Sequence, residues 1–267
     1  MAVKKLSVGY VIPTLGRDLA LLNRAVQSVL TQEYKSLLVI VGPPDNKPLI
    51  EFCRKASLTY VYDERKGIAA AWNIGVSYLE SQGVEIFGGL GEDDEILQGS
   101  TASLVRAFDN PKTVAAVGHI WYVNEYGESI FHNRSYPEFA PILHWILNVI
   151  PHPGSLSRVA SWKAVGEFNT SWKFVIDYDY WLKIRKIGKI VRVEAPMSLF
   201  RWHSAGITGG LREAAIAEGS MLRKSYTPKS LIWLFYLVDP LMVWLGERRL
   251  KASMKENFDV STAAPSD

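Results

Sequence analysis

Four consecutive acids, Glu92-Asp93-Asp94-Glu95, follow directly on an apolar run at positions 84–90. Carboxylates crowded in this way repel one another unless a cation or solvent compensates. Hard divalent ions such as Mg2+ and Mn2+ take oxygen ligands, often one or two carboxylates completed by substrate phosphates. A turn at the end of a buried strand is rigid enough to aim such groups. The pattern points to a metal-bridged phosphate site. The alternative is a solvated surface turn in which Asp93 caps the next segment. A second acidic pair, Asp177 and Asp179, opens a helical run with Tyr180, Trp181, Ile184 and Ile187 on or near one face. Asp177 is suited to cap that helix.

The elements that must position these carboxylates alternate along the first half. Residues 6–12 form an apolar strand broken by Pro13-Thr14-Leu15-Gly16, and Asp18 can cap a helix through Leu19, Leu22, Val26 and Val29 or Leu30. A second strand at 37–41 ends at Gly42-Pro43-Pro44, a short helix covers 49–56, and a third strand covers 58–62. Ile68, Trp72, Gly75, Val76 and Leu79 then fall at helical spacing, ahead of the fourth strand at 84–90. Such alternation implies an α/β fold with a mostly parallel sheet flanked by helices. In such sheets the ligand sits outside the carboxyl ends of the strands. That rule brings 13–17, 42–45, 63–67 and 91–95 to one rim.

The second half is less regular. Strands are expected at 114–122, 190–193 and 197–202, with a turn at Asn124-Glu125-Tyr126-Gly127 into 129–131. A short helix at 159–165 is closed by Gly166. The stretch 137–153, rich in Ile, Leu and Pro, is suited to line an acceptor region.

The 267 residues suit one large domain with an appended segment. A formal charge of +3 with scattered Lys and Arg counts against a dedicated nucleic-acid binder. The single Cys53 allows no intrachain disulfide and fits a reducing compartment. The first apolar run stops at Pro13 and reads as a strand, not a leader, so a cytoplasmic protein is expected. A catalytic domain is expected over 1–225, an apolar and basic helical segment over 226–251, and a flexible polar tail over 252–267. Residues 231–245 are strongly apolar, with Lys224 and Lys229 before and Arg248, Arg249 and Lys251 after. Asp239-Pro240 interrupts them, which argues against a spanning helix. Three roles remain open to this segment: lying at the inner face of a membrane, packing on its own domain, or forming a homodimer.

Three segments in order, Tyr10-Val11-Ile12-Pro13-Thr14 through Arg17, Lys66-Gly67-Ile68-Ala69-Ala70-Ala71-Trp72-Asn73-Ile74-Gly75, and Gly91-Glu92-Asp93-Asp94-Glu95-Ile96-Leu97, resemble the motifs of family 2 glycosyltransferases. Val165-Gly166-Glu167-Phe168 and Asp177-Tyr178-Asp179-Tyr180-Trp181-Leu182-Lys183 resemble the acceptor-side signature of that family. The resemblance implies a GT-A-type fold and transfer of a hexosyl or N-acetylhexosaminyl group from a nucleotide-diphosphate sugar, UDP by default. The acceptor would be a saccharide or a lipid-linked saccharide, as in surface polysaccharide or glycolipid synthesis. Pro13, Thr14 and Arg17 would surround the nucleoside, and Arg65, Lys66 and Asn73 would line the nucleotide pocket. Asp93 and Asp94 match the motif that binds Mn2+ or Mg2+, with Asp93 also beside the nucleotide. Asp177 matches the catalytic base, and Asp179 is the alternative register. His203 falls in a segment whose counterparts close over the diphosphate, where a His can touch metal or phosphate.

The family usually has an acidic turn after the second strand. Here that turn is Gly42-Pro43-Pro44-Asp45-Asn46, so only Asp45 is available to contact the base. The expected reaction is an inverting, metal-dependent transfer. The rival readings are a nucleotidyltransferase and a catalytically silent scaffold that binds sugar or a partner. The missing Gly-rich phosphate loop argues against the first, and the intact Asp93, Asp94 and Asp177 argue against the second.

Overall fold

Strand β1 (Val8–Pro13) sits between β2 (Leu37–Gly42) and β4 (Ile86–Gly89), and β3 (Thr59–Tyr62) lies outside β2, all parallel. The computed structural model describes residues 5–202 and 211–262, with side chains as far as Arg248. Along β1 the side chains alternate with period two, as strand geometry requires. Tyr10 and Ile12 enter one core with Leu22, Val26 and Ile40, while Val11 enters the other with Val39, Trp72 and Val76. Two cores on opposite faces explain why these strands read as continuous apolar runs.

The first core is roofed by α1 (Leu19–Leu30), whose first turn is capped by Asp18 accepting from the N–H groups of Ala20 and Leu21. Helix α2 (Lys47–Lys55) is capped in the same way by Asn46. The other face is covered by α3 (Ile68–Ser81), which lies directly on β1. A Cβ on Gly75 would come within 2.3 Å of Val11 Cγ1, so only glycine permits this approach.

Beyond β4 the sheet becomes mixed. Strand β8 (Leu156–Arg158) joins β4 and β6 (Thr113–Val123) antiparallel, and β6 pairs parallel with β9 (Lys189–Arg201). The short β5 (Glu95–Ile96) is antiparallel to β9, and β7 (Ser129–Asn133) pairs with β6. The parallel half agrees with the alternation in the sequence, and the antiparallel pairs belong to the irregular second half. Strand β9 replaces the two strands expected at 190–193 and 197–202. Pro196 lies within it, opposite His119, where the register with β6 shifts. An irregular ladder there can accommodate a residue with no N–H to give.

Helices α4 (Ser100–Arg106), α5 (Val159–Val165) and α6 (Ile176–Ile184) complete the domain, with a 3-10 segment at Pro137–Trp145. Helix α7 (Arg212–Tyr226) contributes Leu222, fully buried, to the second core. Helix α8 (Ile232–Thr262) runs through the stretch expected to be a flexible tail from residue 252. Ala, Met, Lys and Glu at 252–256 are good helix formers and extend it.

Candidate active site

The carboxyl ends of β1 to β4 meet on one rim, and hydrogen bonds tie their loops together. Thr14 N–H donates to Val41 O (2.8 Å), Asp63 N–H to Gly42 O (2.8 Å) and Leu90 N–H to Val11 O (3.2 Å). The Thr14 hydroxyl donates to the Glu92 carboxylate and accepts from Gly16 N–H, so the loop after β1 is stitched to the acidic turn. Asp45 and Arg65 form a two-pronged ion pair (2.9 and 2.5 Å), which holds the Asp45 carboxyl below its ordinary value. Arg65 adopts φ 58, in the left-handed region. Lys66 is exposed and pairs with Glu64 at 2.6 Å, and Arg17 is exposed on the same rim beyond Pro13. Asp63 was not singled out in the sequence. It is buried there, and its Oδ1 has no hydrogen-bond partner among the described residues.

The acidic turn is anchored by a residue that no spacing rule would have found. Arg201, at the end of β9, is buried. Its N–H donates to Asp94 Oδ1 (3.0 Å), Nε to Asp93 O (3.2 Å), Nη1 to Asn124 O (2.9 Å) and Nη2 to Glu95 Oε1 (3.0 Å). Burial, and then the charge of Asp93, raise the Asp94 carboxyl well above the ordinary carboxylate range. The remaining oxygens converge over Gly91. A Cβ there would lie 2.6 Å from Asp94 Oδ2 and 3.0 Å from Asp93 Oδ1. The missing side chain leaves a cradle faced by two hard oxygen donors whose mutual repulsion a cation would relieve. That donor set fits a divalent ion whose other ligands come from phosphates. Among the described residues no group of three or more acids, His or Cys forms a closed metal cage.

On the other side, Asp177 opens into a cleft of about 170 Å³, lined also by Tyr122, Asn133, Asn148, His152 and Phe200. Asp177 lies in the first turn of α6 and not at its cap, which is Val175. The turn itself is aimed by α7. Glu218 accepts the N–H groups of Lys173 (2.9 Å), Phe174 (2.6 Å) and Val175 (3.1 Å) immediately ahead of α6. Asn148 Nδ2 donates to Asp177 Oδ2 (2.9 Å), and Tyr178 N–H donates to Asp177 Oδ1 (2.8 Å). Burial raises the Asp177 carboxyl to about 6 in spite of these two bonds, which favour its charged form. Burial pushes the Tyr122 hydroxyl up to about 12, and the charges of Asp94 and Asp177 both add to the rise. One phenol therefore lies within electrostatic reach of the acidic turn and of Asp177. His152, packed edge-on against Trp72 (4.9 Å), is lowered by burial to about 4 and remains a neutral wall of the cleft.

Two expected site residues serve elsewhere. Asn73 is buried, donating to Phe168 O (2.9 Å) and accepting from Phe168 N–H (2.8 Å), so its amide clamps the loop around Phe168. Asp179 is buried against Lys183 (2.7 Å) and the Tyr226 hydroxyl (2.8 Å), so it points into the α7 contact and not into the cleft. One helical turn carries both aspartates, and residues two apart on a helix do not share a face. His203 lies outside the described residues.

The chain is similar to known proteins in sequence and in fold. The chain is 22% identical over 204 residues to an uncharacterized glycosyltransferase of Rickettsia typhi, covering 70% of this chain and 61% of that protein. It is 27% identical over 198 residues to another from Rickettsia conorii, covering 68% of this chain and 32% of that protein. This chain thus spans less than two thirds of the length of either. Residues 1–349 of S. aureus TarS, solved with UDP-GlcNAc, superpose with a TM-score of 0.63 at 12% identity, over 83% of this chain and 67% of that one. GalNAc-T7 with UDP, GalNAc and Mn2+ gives 0.58 at 16% identity, over 75% and 44%. The fold is therefore the GT-A type, a mixed α/β sheet with an apolar C-terminal helix. The model of glycosyl transferase family 2 matches residues 10–156, more than half of the 267, and the chain belongs to that family.

Proposed function

We propose that the chain is an inverting, metal-dependent transferase that moves a hexosyl or N-acetylhexosaminyl group from a UDP-sugar to an acceptor hydroxyl. The observation that carries this reading is that the end of β9 joins the two acidic groups: Phe200 lines the cleft that holds Asp177, and the next residue, Arg201, bonds Asp94 and the Asp93 carbonyl. The likeness to folds solved with UDP and UDP-GlcNAc supports the donor class. The acceptor hydroxyl, held in the cleft, gives its proton to Asp177 as its oxygen attacks the anomeric carbon. The bond from that carbon to the diphosphate oxygen breaks on the opposite face, so configuration inverts. Asp93 and Asp94 would hold a divalent cation, which would neutralise the charge gathering on the departing diphosphate. Asn148 and the α6 backbone hold the Asp177 carboxylate in place. The raised affinity of Asp177 for protons suits a base working near neutral pH.

The test is calorimetry of UDP binding with Mn2+ or Mg2+, together with a screen of UDP-sugars read by released UDP. Asp94→Asn should weaken metal-dependent UDP binding about tenfold or more, since it removes one of two charges. Unchanged affinity in that variant, or the absence of metal-dependent UDP binding in the native chain, overturns the reading.

A further inference from the structure

Among the described residues, helix α8 is held to the domain along one side. Its inner side carries Phe235, buried, and Asp239, which accepts from Arg223 Nε (2.6 Å) and from the Ser220 hydroxyl (2.7 Å). The acid that interrupts the apolar segment in sequence is therefore turned inward and neutralised. Its outer side presents Trp233, Tyr236, Leu237, Leu241 and Trp244, exposed by 61, 59, 66, 50 and 52%. Spacings of three and four residues place these on one stripe. Apart from Asp239, the one acid between Lys229 and Arg248 is Glu247, which is half-exposed and faces Arg212 at 3.8 Å. The cations sit at its ends, already over aromatic rings. Lys224 Nζ lies 5.0 Å from the Tyr236 ring and Arg248 5.4 Å from the Trp244 ring.

We propose that this outer face of α8 is a docking surface for an anionic phospholipid bilayer, with the helix lying in the interface. Charge selects this occupant. Basic ends around a stripe of Trp, Tyr and Leu match an anionic headgroup layer above acyl chains. A second copy placed face to face about a two-fold axis would instead set cations opposite cations, since Lys224, Lys229 and Arg248 all border the stripe. The segment Lys229–Arg248 is long and apolar enough to cross a membrane. Its inner side is engaged by the Arg223 pair, and this fixes it along the domain surface. Docking would also orient the cleft. A Cβ on Gly246 would lie 2.1 Å from Leu147 Cδ1, so α8 rests against the residue next to Asn148, which holds Asp177. The Asn148 wall of the cleft thus rests on the inner side of α8, so its orientation follows that of the helix.

The experiment is flotation of the full chain with vesicles of equal parts phosphatidylcholine and phosphatidylglycerol, and with phosphatidylcholine alone. The native chain should float with the anionic vesicles and bind the neutral ones about a hundredfold more weakly, as three interfacial cations imply. Leu237→Glu with Trp244→Glu should cut anionic binding about tenfold or more, while the melting temperature and metal-dependent UDP binding stay unchanged. Trp233→Ser with Trp244→Ser is the milder pair, and it should lose binding in the same direction. A native chain that stays at the bottom of the gradient, or acidic variants that still float, would overturn the assignment. So would a native dimer that fails to float and is dissociated by the same substitutions. None of these readouts depends on sugar transfer.

Discussion

Replacing Asp177 with Asn should destroy transfer and stabilise the protein, and the gain should follow pH. Burial raises this carboxyl from 3.8 to about 6. A group whose folded value is raised contributes stability that is fully present below about pH 4. That contribution is lost as pH rises through about 6. At 1.36 kcal/mol per unit the loss is about 3 kcal/mol. Asn carries no charge and escapes it. It keeps the bond from Tyr178 N–H but sacrifices one partner with Asn148, which costs about 1 kcal/mol. The net gain is about 2 kcal/mol at pH 8, or roughly 5 °C in melting temperature for a chain of this size. Melting curves of both proteins from pH 4 to pH 8 should diverge up to about pH 6 and run parallel above it. The transfer rate of the native chain should fall below about pH 6 as the base is protonated. The variant should lose roughly 10²- to 10⁴-fold in rate. A stability difference that ignores pH, or a variant that melts lower at pH 8, would refute the burial of this charge. A variant that keeps its rate would refute its role as base.

Asp179→Asn should keep transfer, because the group faces Lys183 and Tyr226. It should cost about 1–3 kcal/mol in urea unfolding through the weakened ion pair. Arg201→Met should loosen the acidic turn, costing about 3 kcal/mol or more in the same measurement. Calorimetry on that variant should also show weaker metal-dependent UDP binding, since Arg201 fixes both Asp93 and Asp94.

What could be read from the sequence was what depends on local pattern. Continuous apolar runs, Asp18 before Leu19 and the glycine after residue 165 announced the parallel strands, the first cap and the end of α5. The rim followed from topology, which needs only strand order. Contacts between distant residues were hidden. Asn73 and Phe168 lie 95 apart in the chain, and Arg201 and Asp94 lie 107 apart. Nothing at either end of such a pair marks its partner. Spacing likewise could not say which of Asp177 and Asp179 meets the cleft. That depends on α7, whose Glu218 and Tyr226 set the entry and the back of α6. The Asp239-Pro240 break looked like an obstacle to a continuous apolar face because a linear reading does not show that Asp239 is turned inward to Arg223.

Arg223 itself carries a practical consequence. It is 2% exposed, and the acid that balances it comes from α8. A chain trimmed ahead of that helix to improve handling would take from Arg223 its carboxylate partner and bare the face of α7 that α8 covers. The damage would travel, because α7, which carries Arg223, also grips the approach to Asp177 through Glu218. Shortened versions would then look catalytically dead for reasons unrelated to membranes or substrates.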